Sequence, residues 1–256
     1  MSNLHLTILG SSAGLASRTR AGSCYLLDLG DEGILFDIGD GATRNFLAQG
    51  FTPEWVSHVV ITHTHADHAG GLGYFLQQRY LSGTDNPLTI HCPGEAVGPI
   101  KAVFNFGYMF KDKLPFTIDY KPHVERHPFL AGVVRVTPFP TSHLAAMRSF
   151  AEGKGLPNRG ECFAMRIDAG EKVIVYSADL GGLDDLDIIP TPIDWLLVES
   201  THVPLDRLWP WAEERKVKRI ILTHIADTLD TSRVSEGKSH TSAEIMIAED
   251  GLTLDI

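Results

Sequence analysis

The chain has 256 residues, 22 of them basic and 32 acidic, for a formal charge of -10, and 43% of it is hydrophobic. That is enough apolar material for a substantial core, and we expect residues 1–256 to form a single domain of layered α/β type. The acidic balance argues against a large RNA partner, because polyanion binders draw on a basic surface that releases counterions; a local basic patch is still allowed.

No stretch reaches the roughly 18 consecutive apolar residues of a membrane span, and the amino terminus lacks the basic-then-apolar pattern of a signal peptide. A cytoplasmic protein with no membrane partner is expected. The three cysteines, Cys24, Cys92 and Cys162, are an odd and sparse set in strand-like contexts, which reads as buried thiols and not as a disulfide framework.

In chain order, strand-like runs occur at Leu4–Leu9, Cys24–Leu29 and Ile34–Ile38, with glycine-rich turns between them. Asp40 is a candidate cap for a short helix near Ala42–Gln49 that Gly50 closes. Trp55–Thr62 then supplies another strand. After Gly70 and Gly71, the residues Leu72, Phe75 and Leu76 repeat at helical spacing, so a helix is predicted to lay its apolar side on the sheet. From Glu95 to Pro128 the chain is rich in aromatics, including Phe104, Phe106, Tyr108, Phe110, Phe116 and Tyr120. They serve either as core or as cover for a site. His91, His123 and His127 in the same region read as structural or solvent-exposed. Further strands are expected at Val133–Thr137, Lys172–Tyr176, Trp195–Val198 and Arg219–Leu222. Met147–Gly160 and Asp227–Ser239 read as loops.

The most informative segment follows the strand that ends at Thr62. It reads T-H-T-H-A-D-H-A-G-G and packs three histidines and an aspartate into six positions. Imidazole nitrogens and carboxylate oxygens are the ligands that divalent cations such as zinc take, with a position left open for water in catalytic sites. His63 and His65 can point toward one ion, Asp67 and His68 toward a second, which makes this half of a two-metal site. Three more ligand-type residues end, or closely follow, apolar runs: His143 in F-P-T-S-H, Asp179 in V-I-V-Y-S-A-D and His224 in R-I-I-L-T-H.

The order H-x-H-x-D-H, His, Asp, His resembles the metallo-β-lactamase superfamily, and the flanking residues look most like its ribonuclease Z branch. The likeness runs along nearly the whole chain, through L-T-I-L-G-S-S-A-G at the start, L-F-D-I-G-D-G-A-T at 35–43, P-L-T-I-H-C-P-G at 87–94 and I-A-E-D-G-L at 247–252. It implies a four-layer αββα sandwich, the metallo-β-lactamase fold. It also implies that His63, His65 and His143 bind one metal, that Asp67, His68 and His224 bind the other, and that Asp179 bridges them. The implied cofactors are two divalent ions, zinc first, with manganese or iron as alternatives.

The chemistry this implies is attack by a metal-bound hydroxide, with Asp67 as ligand and secondarily as proton acceptor. Glu199, in L-L-V-E-S-T-H, stands where the ribonuclease Z pattern has H-E-A-T, which suggests a proton relay. Val198 replaces the histidine of that pattern, and His202 is placed to compensate; the alternative is that Glu199 and His202 only hold each other. The H-S-T loop and the long Gly-Pro arm that grips transfer RNA in that family are not recognisable. A small or nucleotide-type phosphodiester is therefore the expected substrate. Arg148, Lys154 and Arg159 are candidates for phosphate contact, or simply a solvated loop. Two other readings stay open: a lactone, thioester or amide hydrolase, and an iron-binding redox or binding protein without hydrolysis. The oligomeric state is not fixed by sequence, a homodimer being one allowed state.

Overall fold

The computed structural model describes residues 4–229, 234, 237 and 239–256. Strands form where β-branched and leucine-rich runs lie between turn residues. In chain order, β1 (His5–Gly10), β2 (Cys24–Asp28), β3 (Gly33–Phe36), α1 (Ala42–Ala48), β4 (Val56–Val60), the single-turn α2 (Ala66–Ala69), α3 (Leu72–Leu81), β5 (Leu88–Cys92), α4 (Val97–Phe106) and β6 (Ile118–Pro122) come first. They are followed by β7 (Phe129–Ala131), β8 (Val134–Pro140), α5 (Ala145–Lys154), β9 (Phe163–Ala169), β10 (Lys172–Tyr176), β11 (Trp195–Glu199), α6 (Leu205–Glu214), β12 (Arg219–Thr223), β13 (Glu244–Ile247) and β14 (Thr253–Asp255).

Contacts divide the chain into two units: one runs to His123 and takes in Glu249–Ile256, the other is Val124–Ala248. The first holds a seven-stranded sheet in the order β14-β1-β2-β3-β4-β5-β6. Its β14, β1, β2 and β3 pair antiparallel, and β3 through β6 pair parallel. Leu26, Leu35, Val59 and Ile90 of this sheet form a core with Phe46 of α1 and with Leu72, Phe75 and Leu76 of α3. The expected apolar side of α3 is thus the side that is buried.

The last residues are pinned to this sheet by more than β14. Asp250 Oδ1 accepts the Ser11 hydroxyl at 2.7 Å, and Oδ2 accepts the Ala21 amide at 2.6 Å and the Asn45 side-chain amide at 2.9 Å.

The second unit repeats the plan with the order β13-β12-β11-β10-β9-β8-β7. Strands β7 to β10 are antiparallel and β10 to β13 parallel. Val175, Leu196, Ile220 and Leu222 pack with Leu205, Leu208, Trp209 and Ala212 of α6. In both units the parallel strands deliver their following residues to one sheet edge, the usual place for ligand sites in α/β sheets.

Three expectations are corrected. Helix α1 is not capped by Asp40: its N-cap is Gly41, at φ 80, with no side-chain cap bond, because the sharp reversal there needs a left-handed residue. Met147–Gly160 is not a loop, since α5 occupies Ala145–Lys154 and Gly155 in the left-handed region closes it. The aromatic segment splits: Phe104 and Phe116 are core, while Phe106 and Tyr108 stand 86% and 81% exposed. Asp227–Ser239, read as a loop, lies largely outside the described residues. All three cysteines are buried. Among the described residues no helix is long and apolar enough to cross a membrane.

Candidate metal centre

In the first unit the candidate ligands His63, His65, Asp67 and His68 all follow β4, and the residue that supports them, Asp37, follows the neighbouring parallel strand β3. After β3 the chain turns at Asp37, which is fully buried and holds a left-handed φ of 57. Its carboxylate compensates for that backbone. Oδ1 accepts the Thr62 amide at 2.7 Å, and Oδ2 accepts the Thr62 hydroxyl at 2.8 Å and meets His68 Nδ1 at 2.8 Å. A histidine whose Nδ1 is held by a carboxylate presents Nε2 outward as a donor atom, the arrangement that orients metal-binding imidazoles. Sequence reasoning passed over Asp37, since it falls within the expected strand Ile34–Ile38 and nothing local names its partners.

The two-apart histidines behave as expected of an extended turn. The rings of His63 and His65 lie 4.7 Å apart and those of His63 and His68 4.2 Å apart. His63 is buried, and its Nδ1 lies 3.2 Å from the Thr62 hydroxyl. The carbonyl of His65 starts the turn of α2 by accepting the His68 and Ala69 amides. Asp67 then falls in the first turn, where a negative charge is favoured. Beneath it only glycine fits: a Cβ on Gly39 would lie 2.2 Å from the Asp67 carbonyl oxygen. His68 Nε2 stands 3.5 Å from Asp67 Oδ2.

In the second unit β8 leads to His143, β10 to Asp179, β11 to Glu199 and β12 to His224. Asp179 and His224 are buried. The two carboxylate oxygens of Asp179 face different rings: Oδ2 lies 3.5 Å from His143 Nε2 and Oδ1 3.4 Å from His224 Nε2. These gaps exceed the usual reach of an N–H···O bond. They match the roughly 3.3–3.5 Å that separates two donors each bound at about 2.0–2.1 Å to one tetrahedral ion. Chemistry and spacing both fit a divalent cation, so each half carries a His/Asp cluster able to bind metal.

Glu199 is fully buried and its charge is matched by four donors. The Leu180, Thr201 and His202 amides bind it at 3.1, 2.8 and 2.7 Å, and His202 Nδ1 lies 2.9 Å from Oε1. Glu199 and His202 therefore do hold each other. The His202 ring also stands 5.0 Å from that of His143 and 5.9 Å from that of His224. Donor atoms of Glu199, His202 and His224 fall within 4.8 Å of one another. His202 also borders an open cavity of about 470 Å3, with Thr201, Leu205 and Leu229.

The basic candidates are already engaged. Arg148 pairs with Glu152 one turn along α5 at 3.0 Å, and Arg159 pairs with Glu161 at 2.8 Å. Lys154 lies 5.9 Å over the Phe150 ring. His91 and His123 are structural: His91 Nε2 meets His58 Nδ1 at 3.1 Å, and His123 Nε2 meets the Ile61 carbonyl at 2.8 Å.

Two sheets of this topology, with His/Asp clusters that could bind metal at the strand ends, define an α/β metallo-β-lactamase fold protein, and comparison with known proteins bears this out. The chain aligns over all its length with a ribonuclease Z of Salinispora arenicola, 25% identical and covering 97% of that protein. It superposes on the metallo-β-lactamase fold protein YhfI of Bacillus subtilis with a TM-score of 0.79 at 22% identity, all of both chains being covered. It is also similar to a diphosphatase from the PhnP family, with a TM-score of 0.71 at 20% identity over 99% of this chain and 98% of that one. At those identities the two structures speak to the fold alone. This is a metallo-β-lactamase superfamily protein close to ribonuclease Z-like metal-dependent hydrolases. Within that superfamily, residues 4–243 match the family described as "Anti-Pycsar protein Apyc1", and the chain belongs to it.

Proposed function

We propose that the protein is a phosphodiesterase acting on a small or nucleotide-type phosphodiester, such as a cyclic nucleotide, as one hydrolase domain with a two-metal centre. The observation that carries this reading is the Asp179 carboxylate, each oxygen of which faces a different imidazole at ion-sharing distance. In this reading Asp179 would serve two ions, one held with His63, His65 and His143 and the other with Asp67, His68 and His224. When bound, two divalent cations supply Lewis acidity, activate water and offset charge on the phosphoryl oxygens. Zinc suits the donor set, and manganese or iron can use it too.

The protein's own residues do the rest. Asp67, at 15% side-chain exposure, is near enough to solvent to accept a proton from an attacking water. Glu199 is a positioning residue: it fixes the His202 ring through Nδ1, so that Nε2 points away and can hand a proton to the leaving oxygen. The charge of -10, with no RNA-gripping arm recognisable in the sequence, favours a small substrate over RNA. The alignment over the whole chain with a ribonuclease Z adds weight to phosphorus chemistry. An odd set of buried cysteines suits the reducing cytoplasm.

Hydrolysis of bis(p-nitrophenyl) phosphate and of cyclic nucleotides, set against lactones and thioesters, tests the reading. Turnover of the second group alone would move the protein to acyl hydrolysis, and oxygen uptake with iron alone would move it to redox chemistry. Asp179→Ala should lose most of its metal and activity, and elemental analysis that still finds two metals per chain contradicts the bridge. Glu199→Ala should keep its metals and slow turnover. The loss should be about 100-fold with an alkyl leaving group, which needs the proton, and only a few-fold with p-nitrophenolate, which does not. Unchanged rates with both would reduce Glu199 to structure.

A further inference from the structure

The three candidate ligands of the second unit arrive on separate strands, and something must hold His143 and Asp179 at 3.5 Å against the freedom of two loops. Asp179 is steadied through its own carbonyl, which accepts the Thr141 hydroxyl at 2.9 Å and the Cys162 thiol at 3.5 Å. Asp185 does more. A single oxygen of it, Oδ2, accepts the Ser142 amide at 3.0 Å, the Ser142 hydroxyl at 3.1 Å and the Gly181 amide at 2.8 Å. Ser142 immediately precedes His143, and Gly181 lies two residues after Asp179. One carboxylate oxygen therefore ties together the two segments that carry the two ligands, although they are nearly 40 positions apart in sequence. The segments are in close contact at that point, since a Cβ on Gly181 would lie 2.1 Å from the Ser142 hydroxyl oxygen. His224 is fixed separately, its carbonyl accepting the Thr201 hydroxyl at 2.9 Å and its Nδ1 lying 3.2 Å from that same hydroxyl.

We propose that Asp185 is a positioning residue that sets the His143–Asp179 separation, and with it the affinity of the ion those two residues share. The inference rests on the two-metal reading above. It is independent of substrate. Asp185 is not among the residues that would hold either ion, so its loss should loosen one metal and spare the other, which would stay with Asp67, His68, His224 and Asp179. Because a carboxylate can take three donors on one oxygen through its charge, a neutral amide keeps the shape and part of the bonding, and an alanine keeps neither.

The test uses the full chain loaded with zinc, challenged with increasing chelator, with metal per chain and the release rate as readouts. Asp185→Ala should give up one of its two ions at a chelator concentration 10- to 100-fold below wild type, the range seen for groups that orient ligands. Asp185→Asn should fall between the two. At saturating zinc kcat should return to within a few-fold of wild type, although loss of three hydrogen bonds lowers the thermal midpoint of the metal-free protein. Release of both ions together, or release as slow as wild type, overturns the proposal. If Asp185→Ala does not fold, Asp185→Asn combined with Ser142→Ala must show at least five-fold earlier release of one ion, and wild-type retention in that variant overturns it equally. Asp179→Ala is run alongside: wild-type protein that never holds two metals sinks the two-metal reading and this one with it, whereas two metals that depend on Asp179 but not on Asp185 sink this one alone.

Discussion

Asp37 shows how much a single side chain outside the ligand set can carry. It is buried, sits in backbone geometry unfavourable for its residue type, and satisfies the Thr62 amide, the Thr62 hydroxyl and His68 Nδ1 at once. Asp37→Ala would strand three buried polar groups and leave the left-handed turn uncompensated. A loss of about 3–4 kcal/mol in urea unfolding is expected, with metal affinity down about 10- to 100-fold. A variant as stable as wild type would mean that the turn is held by its glycines alone. At this scale the sequence was most legible where chemistry is local: H-x-H-x-D-H needs only one turn of chain to bring its donors together. Asp37 and Asp185 were not legible, because their partners lie on other strands and nothing in a lone aspartate names them.

At the scale of elements, α3 does more than cover the sheet. Arg79 near its end is fully buried, and its guanidinium donates to the carbonyls of Pro53, Val56, Asn86 and Pro87 and to the Asn86 side chain. It thereby stitches the start of β4 to the turn before β5, with the Phe116 ring 5.1 Å below. Burial lowers its pKa to about 10, which leaves it charged at neutral pH. Arg79→Met keeps the volume of the stem and removes every donor. It should cost about 3–5 kcal/mol by equilibrium unfolding, and a cost below about 1 kcal/mol would show that water takes over those carbonyls.

Of the parallel runs, β3 and β4 in the first sheet and β10, β11 and β12 in the second were readable from their apolar residues, Lys172–Tyr176 to the residue, whereas β5, β6 and β13 were not. The misreading of α5 has a physical cause. Ala151 is the only residue of that helix that is buried, so it has no apolar stripe to show a helical period, and the nearby Gly153, Gly155 and Pro157 dominate the local pattern. The edge strands β7 and β13, three and four residues long, are too short for alternation to register.

For the molecule as a whole, pH reaches the first sheet through its buried imidazoles. Desolvation, helped by the positive ends of His58, His123 and Lys121, pushes His91 down to about 3, and burial takes His123 down to about 4. Both stay neutral in the folded state, whereas in the unfolded chain they take up protons near their ordinary value of about 6.5. The unfolded state therefore binds more protons between about pH 6.5 and 3, and stability falls on acidification through that window. For His91, which is 4% exposed, the loss by pH 5 is on the order of 1–2 kcal/mol. His91→Gln cannot take the proton, so its urea midpoint should fall less steeply between pH 7 and 5; parallel slopes would locate the acid sensitivity elsewhere. The general architecture was legible only through the family resemblance that seven candidate ligands and their flanking motifs carry, and this sensitivity was not legible at all, because it depends on which face of each strand is dry.

Strand order also governs how the protein is made. The opening loop between Ser11 and Ala21 is tied to Asp250, and β1 gains its outer neighbour from β14. During synthesis the nascent chain must hold that loop and edge open while more than two hundred further residues leave the ribosome. The first unit is thus begun before the second and completed only after it.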